Sequence, residues 1–191
     1  MTPLFSTAYL PPVSYIDECI RSGKIILEQH EHFVKQTIRN RAHICGANGM
    51  LKLIIPVQHQ RPSRIPICDV KISYENAWQK IHWRSIASAY RNSPYFEFYE
   101  DEFAPFYHRR FETLFAFNLE LMKKIFALLK ANVDISFTSS YVKEPAEVTD
   151  FRNFPFEEKT DMNSEPYRQV FSDRIGFIAG LSIFDKICNV H

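Results

Sequence analysis

The sequence predicts an α+β domain in which a small mixed sheet packs against a central block of helices. Three observations carry this. The chain opens with a short β-α-β pattern, two β-type runs flank an Asn-Gly dipeptide, and residues 75–129 show long stretches of helical periodicity.

FSTAYL (5–10) is an apolar, β-branched run and is expected to be a strand that Pro11 and Pro12 stop. VSYIDECIRS (13–22) repeats its apolar residues at Val13, Ile16 and Ile20 and meets Gly23, a helix stop. KIILE (24–28) is a second strand, so the start implies parallel pairing through a right-handed crossover. The polar, basic stretch 32–41 is expected to make one or two helical turns. AHICGANGMLKLIIPV (42–57) is a hairpin, because Asn48-Gly49 accepts the positive φ angles of a type I′ turn. A loop at 58–66 and a strand at 67–73 follow.

In 75–90 Trp78, Ile81, His82, Ile86 and Ala89 form a helical stripe, and Asn92-Ser93-Pro94 breaks it. Residues 95–110 are aromatic and interrupted at Pro105. From Phe111 one apolar face runs through Leu114, Phe115, Leu121, Met122, Ile125 and Leu128, with Asn118 its one polar member. DISFTSSYV (134–142) returns the chain to the sheet. Residues 143–166 hold three prolines and many charges and are expected to be a long loop or lid, and 181–190 a final helix. A single domain spanning 1–191 accommodates all of this.

Composition excludes several classes of function. The formal net charge of +1 supplies no global field for nucleic acid or an acidic membrane. The N-terminus lacks the basic and apolar regions of a signal peptide, and no window approaches ~18 apolar residues, so neither export nor membrane insertion is expected. Four cysteines without a CxxC pair fit reduced thiols in the cytoplasm. The phosphate-loop, dinucleotide, zinc-protease and serine-hydrolase fingerprints are absent. His30 and His32 with Glu28 and Glu31 lack a further ligand, so no metal is expected, and no resident cofactor. The 17 Phe and 9 Tyr are the oddity: such rings build either a core or a ligand pocket.

Three places combine residue types that carry chemistry. Lys35, Arg39 and Arg41 with Gln36 and Asn40 form either an anion clamp, with Lys35 and Arg39 four apart on one helix face, or a solvated charged turn. His82 on its apolar stripe is either a hydrogen-bonded core imidazole or a general base with a tuned pKa. Asn118 needs a partner, since an unpaired buried amide costs about 1–3 kcal/mol.

The ordered set of Tyr9-Leu10-Pro11-Pro12 with Tyr15, KQTIRNR (35–41), ICGANG (44–49), LIIPV (53–57), WQKIH (78–82), Ala89-Tyr90, PYF (94–96), Asn118 and LSIFD (181–185) resembles the WbqC-like family. The resemblance implies a cytoplasmic bacterial protein of surface-polysaccharide (O-antigen) biosynthesis. That context, with the local basic cluster in a neutral protein and a histidine among aromatics, leads to the expectation of a transferase acting on a sugar nucleotide, passing an acyl or aminoacyl group from a donor to an amino sugar. In that scheme Lys35, Arg39 and Asn40 hold the diphosphate, Tyr9 and Tyr90 shape the pocket, His82 takes the acceptor proton, and Asn118 orients His82 or a substrate carbonyl. The alternative is a non-catalytic binding or scaffold subunit docking through the aromatic segment 95–117. The oligomeric state is left open by the sequence.

Overall fold

The structure is a computed structural model that describes residues 1–58, 64–156 and 166–190. Strand β1 (Thr2–Ser6) leads into helix α1 (Val13–Ser22), and β2 (Lys24–Glu28) returns parallel to β1 with Leu4 opposite Ile26. Gly23 closes α1 in the left-handed conformation (φ 66), its N–H donating to the Cys19 and Ile20 carbonyls. The first strand lies earlier than the expected 5–10. Beyond Ser6 the backbone leaves the ladder: Tyr9 N–H donates to the Ile38 carbonyl at 2.8 Å, and Leu10 takes a φ of 38.

β5 (Asp134–Phe137) pairs parallel with β2, and β6 (Val148–Asp150) pairs parallel with β1. The order is β5-β2-β1-β6, with Phe5, Ile25 and Leu27 fully buried on the central strands. β6 falls inside the stretch expected to be a loop. Phe156, beyond it, is fully buried against Phe5 and Tyr15, while 157–165 lie outside the described residues.

β3 (Arg41–Gly46) and β4 (Gly49–Ile54) form the expected hairpin as a separate antiparallel sheet, and parallel and antiparallel pairing together with the helices make the α+β class. Gly46 opposes Gly49, so the turn residues are Ala47 and Asn48, neither with positive φ; that angle falls on Gly49 (φ 113). The turn is therefore not the type I′ expected at Asn48-Gly49.

The strand expected at 67–73 is instead a 3₁₀ turn (Ile67–Asp69) followed by two isolated bridges. Its backbone serves different neighbours: Ile72 N–H bonds Glu112 O, and Ser73 N–H bonds Pro56 O, so no ladder propagates among the described residues. Helices α2 (Trp78–Tyr90), α3 (Phe96–His108) and α4 (Leu114–Leu128) form the central block. Ile81 departs from its stripe at 58% exposure, whereas Trp78, His82, Ile86, Ala89 and Tyr90 are buried. Pro105 does not end α3, because the Asp101 carbonyl it leaves unpaired lies on the exposed side. Thr113 caps α4 by accepting from Ala116 N–H. The short helix α5 (Ser172–Ile175) and α6 (Ile183–Asn189) complete the described chain. No helix among the described residues is long and apolar enough to cross a membrane.

Candidate functional site

From β1 the strand order runs to β2 and β5 on one side and to β6 on the other. The switch in direction lies between β1 and β6, and in open parallel sheets the crevice beyond the carboxyl ends at such a point is the usual ligand site. Ser6 ends β1, Glu28 ends β2, and Asp150 ends β6 with Arg152 two residues on.

Two buried guanidiniums organise this edge. Arg39 Nε and Nη2 grip both Glu31 oxygens, at 2.8 and 2.6 Å; Nη2 also donates to Ser6 Oγ, and Nη1 to Thr37 Oγ1. Ser6 Oγ in turn donates to the Arg152 carbonyl at 3.0 Å. The Arg152 guanidinium bonds Asp150, Glu28 Oε2 and the carbonyls of Val142 and Lys143, and lies over the Tyr141 ring. Hydrogen bonds from Arg152 hold the Asp150 carboxyl below the usual carboxylate range, against a smaller opposing effect of burial. Above this lattice lies a cleft of about 190 Å³, lined among others by Thr37, Arg39, Arg41, Arg152, Asn153 and Phe154.

The predicted residues divide around this cleft. The stretch 32–41 makes turns and no helix, because its side chains bind its own backbone: Asn40 Oδ1 accepts from Gln36 N–H, Thr37 Oγ1 donates to Val34 O, and Gln36 takes a φ of 59. Lys35 therefore shares no helix face with Arg39. Lys35 is exposed while Arg39 is buried against Glu31, so the expected Lys35–Arg39 clamp is not formed. Asn40 is buried too, its Nδ2 donating to the Ile55 carbonyl, and it ties the turn to the end of β4.

His82 is 4% exposed, packed edge-on to Trp78 and stacked with Tyr9. Burial lowers its pKa to about 4, and a backbone hydrogen bond with Ile54 opposes the shift. Tyr9 OH bonds both His82 Nδ1 (2.9 Å) and Tyr107 OH (2.9 Å), the directions following the imidazole tautomer. This chain joins the β1–α1 turn to α2 and α3. The expected general base is a neutral core imidazole that does not line the cleft. Tyr9→Phe removes the hydroxyl that bonds both His82 and Tyr107, and is expected to lower stability by about 1–3 kcal/mol in urea denaturation; an unchanged midpoint would show the chain to be energetically idle.

Asn118 does not reach His82. Its Nδ2 donates to the Arg39 carbonyl at 2.8 Å, holding from beneath the backbone that lines the cleft. Tyr90 is buried elsewhere, its hydroxyl accepting from Cys45 N–H and bonding Asp185. Of the seven expected site residues, only Arg39 lines the cleft directly. Arg41 and Gln36, read from the sequence with that basic cluster, line it too, whereas Arg152 was not expected there. Arg152 stands in a proline- and charge-rich stretch whose only signal was that of a loop. Among the described residues no group of three His, Cys, Asp or Glu could hold a metal ion.

A family model for the WbqC-like protein family matches residues 7–158. That span contains Tyr9, Lys35, Arg39, Asn40, His82, Tyr90, Asn118 and the whole cleft, whereas LSIFD (181–185) lies beyond it. No curated protein and no solved structure matches the chain.

Proposed function

This chain belongs to the WbqC-like family, and we propose that it binds a nucleotide-sugar-type ligand in bacterial surface-polysaccharide biosynthesis, with the ligand's phosphate in the cleft at the β1–β6 switch point. The observation that carries this is the position of an arginine-lined concavity at the carboxyl edge of a parallel sheet. Arg39 and Arg152 are largely committed to carboxylates and act as the rigid floor, and Arg41 and the 152–156 backbone line the walls.

The reaction we propose is acyl or aminoacyl transfer to an amino sugar, with the donor a co-substrate and not a resident cofactor. The buried His82, outside the cleft, is not the base of that step. Four free cysteines accord with a cytoplasmic setting. A scaffold docking through 95–117 would expose a patch of rings. Phe96, Phe103, Phe106 and Tyr107 are instead buried, and Phe98 at 75% stands exposed among them, which favours the ligand-binding reading.

Calorimetric titration of UDP-sugars, free nucleotides and pyrophosphate tests the proposal. Arg41→Ala is expected to weaken the binding of the best of these roughly 10- to 100-fold, the value of a charge-assisted hydrogen bond. Arg84→Ala, on the far surface of α2, should leave it unchanged. Failure of every sugar nucleotide and of pyrophosphate to bind, or equal binding by Arg41→Ala, would overturn the assignment.

A further inference from the structure

Four carboxyl side chains on the named helices and strands or beside the cleft are buried: Glu18, Glu28, Glu31 and Asp185. Three are met by guanidiniums, Glu18 by Arg21, Glu28 by Arg152 and Glu31 by Arg39. Asp185, on α6 and 0% exposed, is met by none among the described residues. Its Oδ2 accepts from Tyr167 OH at 2.7 Å, Tyr90 on α2 bonds the same carboxyl, and Oδ1 has no hydrogen-bond partner among the described residues. The other groups facing it are Gln169 and the thiols of Cys45 on β3 and Cys188 on α6. Lys186, next in sequence, reaches away to Asp17 at 3.3 Å. Among the described residues this carboxyl is surrounded by phenols, thiols and an amide without a compensating charge, and such an environment favours the acid form.

The element that carries Asp185 covers a particular place. Leu181 O accepts from Val13 N–H at the start of α1, Ile183 N–H donates to Pro11 O at 2.7 Å, and Ser182 N–H donates to His43 O at 2.8 Å. The first two bonds hold the end of the β1–α1 turn, which leaves the carboxyl edge of the parallel sheet and contains Leu10 at its positive φ, and the third holds β3. Gly180, immediately before the covering stretch, has a φ of 72 that an L side chain rarely adopts, and supplies a hinge.

We infer that residues 181–190 are a proton-controlled strap over the β1–α1 turn, closed when Asp185 is the neutral acid and loosened when it ionises. The strap does not depend on the cleft's ligand. Burial raises the Asp185 pKa, and the Tyr167, Tyr90 and Gln169 hydrogen bonds act against that rise. A carboxyl with a raised folded pKa contributes stability that is fully present below its unfolded value and is lost as pH rises through the folded value. Opening releases a proton and is therefore favoured by base.

Hydrogen–deuterium exchange of the full chain from pH 4.5 to 8.5, read as the ratio of wild type to Asp185→Asn, cancels the intrinsic pH dependence of exchange. In peptides covering 181–189 and 11–16 the ratio should climb by up to about ten-fold per pH unit and then level off, while α4 peptides stay flat. A flat ratio in the strap, or an equal rise in α4, would overturn the inference. Tyr167→Phe provides a second arm that leaves the acid in place. It should exchange like wild type at pH 4.5 and several-fold faster in the strap at pH 8.5, and equality at both pH values counts against the strap.

Discussion

Arg39→Met is expected to lower the stability of the fold by about 3–5 kcal/mol, the cost of leaving a buried carboxylate without its cation. Glu31 is held by two charge-assisted bonds of 2.8 and 2.6 Å on a pair whose side chains are 5% and 8% exposed, so water cannot replace the lost partner. The same guanidinium joins Ser6 at the end of β1 to Thr37, and its loss also loosens the floor of the cleft. Removing Glu31 as well, in Arg39→Met/Glu31→Met, should recover most of the loss, since two apolar side chains of similar volume replace the pair without a stranded charge. Guanidinium unfolding with unchanged slopes provides both numbers. A single-variant loss below about 1 kcal/mol would mean that the pair is solvated. An Arg39 that served only a ligand would lose binding with no loss of stability.

Acidification from pH 6.5 to below 4 should remove about 3 kcal/mol through His82 alone. Burial holds the folded imidazole neutral down to about 4, with the Ile54 bond acting the other way, while the unfolded chain takes up a proton near the ordinary histidine value. The contribution is thus present above about 6.5 and is lost as pH falls through about 4. Asp185 works with the opposite sign, so the measurement is the difference between wild type and His82→Gln, which keeps a hydrogen-bonding partner for Tyr9 without a titration in this range. Parallel stability profiles of the two proteins would show that His82 takes up its proton without unfolding the core.

The elements that follow from local chemistry were legible before any coordinates. Gly23 ends α1 because its αL conformation suits glycine, the apolar face from Leu114 makes α4, and the 13–28 stretch sets up the parallel β1–β2 pair. Asn118 was legible as a residue that required a partner, though not as the anchor of the Arg39 carbonyl. The 67–73 stretch read as a strand because its residues suit one, yet among the described residues no neighbouring strand forms a ladder with it. The 32–41 stretch failed as a helix because Asn40 and Thr37 bond its backbone in turns.

By itself the sequence determined the fold class, the family and the absence of any standard catalytic fingerprint, because periodicity, turn residues and motif spacing are local properties. Only the tertiary structure decided that His82 is core, that Arg39 belongs to Glu31, that Arg152 meets Glu28 from 124 residues away, and that Asp185 lies buried without a cation among the described residues. The physical reason is that a side chain's charge state and freedom to bind a ligand depend on its neighbours in space, and those neighbours are set by chain crossings that no short window of sequence contains.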